Sequence, residues 1–138
     1  DFGAVARLPG GSPEPLGRLT RLALDGKGEE LVATMRELGF IRSGVELDPN
    51  AVMDYFGPVL DPLRSESFTF SREWMRRQAA RIADPRSEEA RVGRMFNLPP
   101  TYLLIHRVTI GSIAILCQLG ATAAFRPLAE RWQPGFAA

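Results

Sequence analysis

The sequence predicts an all-α fold, and three observations carry that expectation. No segment alternates apolar and polar residues as a half-buried strand requires. Instead, apolar residues recur three and four apart, behind cap residues followed by proline or acid, the punctuation of helix starts. The longest apolar run, 98–119, is too long for a strand and opens on Pro99-Pro100, which fit only a first helical turn. The expected architecture is one domain over 1–138, with about six to seven helices packed around the apolar helix 100–119. Its parts are an opening triplet and short loop (1–11), a helical hairpin (12–39) and the remaining helices (40–138).

In chain order, Ser12-Pro13-Glu14 reads as a helix start, with Leu16, Leu19 and Ala23 on one face. Asp25-Gly26-Lys27-Gly28 is a turn, and a second helix from about Glu29 to Leu38 carries Leu31, Met35 and Leu38 on one face and stops at Gly39. Asp48-Pro49 starts a third helix carrying Val52, Met53 and Phe56 inward, and Gly57-Pro58 kinks or ends it. The segment 65–70 has no period and is expected as a loop with Phe68 and Phe70 packed inward. Ser71 caps the next helix, with Trp74, Met75, Gln78, Ala79 and Ile82 inward and Arg72, Arg76, Arg77 and Arg81 outward. Asp84-Pro85 opens a short helix to about Phe96, Gly120 ends the long apolar one, and a last helix runs from about Ala123 to Trp132.

The segment 98–119 is read as the central helix, apolar nearly all round and therefore covered on several faces. Val108 to Phe125 carries no charge and reaches the lower limit of a bilayer span, ~18 residues. Thr109, Ser112, Gln118 and Thr122 dilute it, and His106 and Arg107 lie inside its first half, so a buried soluble helix is the reading.

Scarcity excludes several functions. The net charge of +1 gives no electrostatic footprint for nucleic acid. Cys117 is the only cysteine, so no internal disulfide forms, and its apolar setting makes it buried filler in a reducing compartment. His106 is the only histidine, which rules out a histidine-rich metal site and fits a helix-face residue better than a catalyst. Lys27, the only lysine, sits in a glycine turn and not on a strand where it could hold nucleotide phosphates. From Arg72 to Arg94 seven arginines face Glu73, Asp84, Glu88 and Glu89, the one local charge excess. A solvated face is the plain reading, and a surface for anionic lipid headgroups or for another part of the protein is the functional one.

The chain opens on Asp1-Phe2-Gly3 rather than methionine and is read as a piece of a longer parent. In protein kinases this triplet supplies a carboxylate to the magnesium that bridges the nucleotide phosphates. No Ala-Pro-Glu follows, so an ordinary activation segment is excluded. With Glu37-Leu38-Gly39-Phe40, Phe70-Ser71-Arg72-Glu73-Trp74, the run Asn97-Leu98-Pro99-Pro100-Thr101-Tyr102-Leu103-Leu104 and Gly111, in this order, the chain resembles the C-terminal part of bacterial UbiB/AarF-like atypical kinases, starting at the Asp-Phe-Gly motif.

The resemblance covers nearly the whole chain and implies the helical C-lobe portion of a protein-kinase-like fold. It also implies Mg-ATP binding in the intact parent, a link to isoprenoid quinone biosynthesis or lipid homeostasis, and a cytoplasmic protein peripheral to the membrane. Carried over by position, Asp1 is the metal-binding acid, supported by Phe2 and Gly3. No catalytic residue transfers. The family's Lys-x-Gly-Gln motif, its alanine-rich nucleotide loop, its ion-pairing lysine and glutamate and its His-x-Asp-x-His-x-Gly-Asn catalytic loop lie upstream of the triplet and are absent here. The isolated chain is thus expected to hold neither ATP nor magnesium.

The implied partner is the missing N-terminal half of the kinase-like domain, with Arg72, Arg76, Arg77 and Arg81 facing an anionic lipid surface. Without that half, apolar surface is left bare and self-association is expected. The competing function is a non-catalytic helical module that docks a protein partner or a membrane.

Overall fold

The computed structural model describes residues 5–137. Among them are seven helices of eight residues or more: α1 (Pro15–Leu24), α2 (Gly28–Glu37), α3 (Pro49–Phe56), α5 (Arg72–Ala83), α6 (Glu88–Met95), α7 (Pro100–Leu119) and α8 (Phe125–Trp132). A 3-10 turn (Gly57–Leu60) and the single-turn α4 (Asp61–Arg64) follow α3. The fold is mostly helical, as the periodicity predicts. One addition is a two-residue antiparallel ladder between β1 (Phe68–Thr69) and β2 (Thr122–Ala123), closed by the Thr69 and Thr122 hydroxyls at 2.7 Å.

Local chemistry accounts for most boundaries. The Asp48 carboxylate accepts from the Asn50 amide at 2.9 Å, and the Ser71 hydroxyl from the Trp74 amide at 3.0 Å, each satisfying an orphan donor of a first turn. Ser71→Ala is expected to lower stability by about 1 kcal/mol, measured as a fall in the urea midpoint at unchanged slope. Helix α2 ends in a Schellman motif: Phe40 N–H donates to Met35 C=O at 2.8 Å and Gly39 N–H to Arg36 C=O at 3.1 Å. That geometry places Gly39 at φ +81°, where a β-carbon is penalised.

Two predicted starts move. Helix α1 begins at Pro15 and not at the Ser12 cap, because the second proline takes the first-turn position and Ser12 makes no capping bond. Helix α6 is capped by the Ser87 hydroxyl on the Ala90 amide, while Asp84 folds back on the Arg86 amide in a turn ahead of it.

The main core is built by α1, α2, α3 and α6. Leu31, at 2% exposure, and Val52 and Val92, at 0%, sit at its centre with Leu22, Met35 and Ile41. A second cluster joins Phe70, Trp74 and Cys117, with Phe68 and Phe125 set edge-on to Phe70. Phe136 is fully buried, and the tail through Pro134 and Gly135 runs against Glu14 and Gly17 of the first helical turn.

The expectation that the helices pack around 100–119 is corrected. Within α7 only Cys117 is fully buried, while Leu103, Val108, Ile110, Ile115 and Leu119 are all more than half exposed. Its C-terminal turns pack on α5 through Cys117, Ile113 and Leu116, and its N-terminal turn meets Phe40 through the Tyr102 ring at 4.9 Å. Apolarity states what a helix needs covered but not which segment supplies the cover. The short amphipathic helices satisfy one another, and α7 lies at the edge.

Candidate functional site

Asp1, Phe2 and Gly3, the predicted metal ligand and its companions, lie outside the described residues. Among the described residues no three His, Cys, Asp or Glu side chains come together as a metal site.

One concave feature is an apolar cavity of about 310 Å³ between α1, α2, the 3-10 turn and the first half of α7. Leu19, Met35, Phe56 and Ile105 supply its walls, and none of its lining residues is Asp, Glu, Lys or Arg. The Thr20 and Thr109 hydroxyls on it already donate to the Leu16 and Ile105 carbonyls, at 2.8 and 2.9 Å. Side-chain donors not already used are thus confined to Tyr102, His106 and Gln133, while the Thr20 and Thr109 oxygens can still accept. A wall of this kind selects neutral, largely apolar matter, because an unpaired charge placed there loses its hydration without a counterion.

The cavity's frame is a joint that sequence reasoning did not assemble. Asn97 donates its backbone N–H to the Phe40 carbonyl at 2.7 Å and its side-chain amide to the Gly39 carbonyl at 3.0 Å. Ile41 and Phe96 pair as an antiparallel bridge beside it. The stretches 37–40 and 97–104, separate in the sequence, are thus two halves of one contact. A buried-type asparagine just before Leu98-Pro99-Pro100 was the available signal.

On α5, Arg72, Arg76 and Arg77 are exposed, and Arg77 pairs with Glu73 at 2.6 Å. Arg81 is a correction: it is a clamp rather than an outward arginine. Its guanidinium donates to the Asp54 carbonyl at 3.1 Å and to the Tyr55 carbonyl at 3.3 Å, and it pairs with Glu89 at 3.6 Å, tying α5 to α3 and α6. Ala79 and Ile82, expected inward, are exposed, since α5 is held to its neighbours by Trp74 at one end and this polar clamp at the other. Burial pushes the Tyr55 phenol above its ordinary range, with the Arg81 charge opposing. Burial also raises the Cys117 thiol, which keeps it protonated and unreactive. The Trp74 indole N–H, also buried, has no acceptor among the described residues.

No protein-family model matches the chain. No curated protein matches it either. Among solved structures it is similar to Rv3197 from Mycobacterium tuberculosis, determined in complex with erythromycin, with a TM-score of 0.81 and 33% identity. The likeness takes in 100% of this chain and 34% of the Rv3197 chain, so the two share a fold across all of one and about a third of the other.

Proposed function

We propose that the chain is the C-terminal helical segment of a UbiB/AarF-like atypical kinase or ATPase. Its parent would bind Mg-ATP and support isoprenoid quinone biosynthesis or lipid homeostasis from the cytoplasm, touching the membrane peripherally. The observation that carries this reading is the ordered set of motifs behind Asp1-Phe2-Gly3, two of which, around Gly39-Phe40 and Asn97, are bonded to each other. The helical fold and its correspondence to about a third of a longer protein support it. In this reading Asp1 supplies one carboxylate to the metal, and the remaining ligands and the nucleotide lysine come from the parent's other segments. The helices of this chain form the base on which that site rests.

A second reading is favoured by the cavity. A neutral apolar space of about 310 Å³ falls at the lower end of small-molecule pockets, and the similar Rv3197 chain was determined with erythromycin. Under this reading the parent seats the apolar part of a macrolide-like compound against α1 and α7 and leaves its protonated dimethylamino group outside the charge-free wall. One experiment tests both: thermal unfolding of the full-length parent with Mg-ATP and, separately, with erythromycin. A ligand at 100 times its Kd stabilises by about 2.7 kcal/mol, several degrees. A rise with Mg-ATP that is lost on chelating magnesium supports the kinase reading. No nucleotide effect at millimolar concentration discards it, and a flat response to erythromycin discards the macrolide reading.

A further inference from the structure

The middle of α7 carries exposed apolar side chains on both flanks. Residues 106–112 are all exposed: His106 and Thr109 border the cavity, and the rest of this stretch is turned away from the fold. Val108 is 66% exposed and Ile110 51%, and at 100° per residue these two point roughly 200° apart. Apolar side chains on opposite sides of one helix call for cover from two directions, which a single flat surface does not provide.

Arg107 narrows the choice of cover. It is the only charged residue of α7, it has no ion-pair or hydrogen-bond partner among the described residues, and it lies in the bare stretch near the helix midpoint. The helix is long and apolar enough to cross a membrane by length and composition. A guanidinium near the bilayer centre is, however, among the costliest groups to place in hydrocarbon. A second copy of the chain contributing one helix covers one side only. A protein cover that encloses Arg107 must instead bring a carboxylate to it, because a buried unpaired cation is not tolerated.

We propose that 106–112 is the seat of polypeptide from the parent's remaining segments, which wraps α7 from both sides and places an Asp or Glu against Arg107. The inference rests on the reading that this chain is part of a longer protein, which the 34% share of the Rv3197 chain supports. It does not depend on ATP.

The test uses the full-length parent with Val108→Cys and Ile110→Cys introduced singly. N-ethylmaleimide labelling is compared with Arg76→Cys, an exposed position on α5, as the open control. Both α7 thiols are expected to react about 100-fold more slowly than the control in the native protein and at the same rate in denaturant. Labelling of either within a few-fold of the control overturns the proposal. So does protection that vanishes on dilution, which identifies a second copy, or protection that needs added phosphatidylcholine and phosphatidylglycerol vesicles, which identifies a bilayer. For the carboxylate, Arg107→Glu is expected to lower the melting temperature of the parent by about 5 °C more than Arg107→Gln, and equal values overturn that part. Protection at both sites without any nucleotide effect leaves the docking standing and removes only the kinase reading.

Discussion

Asp1→Asn in the full-length parent is expected to reduce ATP turnover by about a thousand-fold, with far-ultraviolet circular dichroism unchanged. The substitution keeps the size of the side chain and removes its charge, so the loss reports on electrostatics at the metal rather than on packing. Helicity is untouched because Asp1 lies fourteen positions before Pro15, where α1 begins. Turnover within a few-fold of the unsubstituted protein would discard the assignment of Asp1, whatever the fold of the rest. The same variant should lose the magnesium-dependent part of the nucleotide stabilisation, which separates impaired binding from a slowed later step.

Gly17→Ala is expected to destabilise the folded chain by about 2 kcal/mol, and Gly111→Ala to stabilise it by up to about 1 kcal/mol. Both glycines are helical, and in both the alanine gains helix propensity. At Gly17 the new methyl collides with the Pro134 carbonyl and lies 2.6 Å from the Phe136 amide nitrogen. Those atoms are backbone and have no rotamer through which to retreat, so the tail lifts and Phe136 loses its burial. At Gly111 nothing lies within 4 Å of the added carbon. Thermal unfolding of the two variants should therefore shift in opposite directions. A rise in melting temperature for Gly17→Ala would show that the tail is not closed on α1.

Most of what was legible in the sequence is chemistry within one turn of the chain. Asp48 and Ser71 cap the helices assigned to them, and Gly39 and Gly120 stop theirs in the left-handed conformation. Each depends on neighbours a few residues away. The same locality explains the near misses, since Ser12 and Asp84 are as good caps on paper as the Glu14-Pro15 start and Ser87, and only tertiary packing chooses between them.

What stayed illegible is which distant surfaces meet. Arg81 differs from Arg77 in nothing local, and only the arrival of Asp54, Tyr55 and Glu89 makes it a clamp. The apolar composition of α7 is a requirement for cover rather than a position in the fold. The cavity likewise comes from α1, α2 and α7, separated by more than fifty residues between Phe40 and Leu98, and Asn97 discloses its partner only once Gly39 is beside it.

The seating of Phe136 against the first helix sets an order of events in synthesis. Helices α1, α2 and α3 are adjacent in sequence and their faces can join as soon as they leave the ribosome, whereas the contact between Gly17 and the tail spans almost the entire chain. During elongation α1 is therefore held first by α2 and the 3-10 turn, and the groove beside Gly17 stays open until residues 134–136 emerge. A nascent chain halted before Pro134 would carry α1 to α8 and still lack this contact, and in that interval the open groove is a surface within reach of chaperones and proteases.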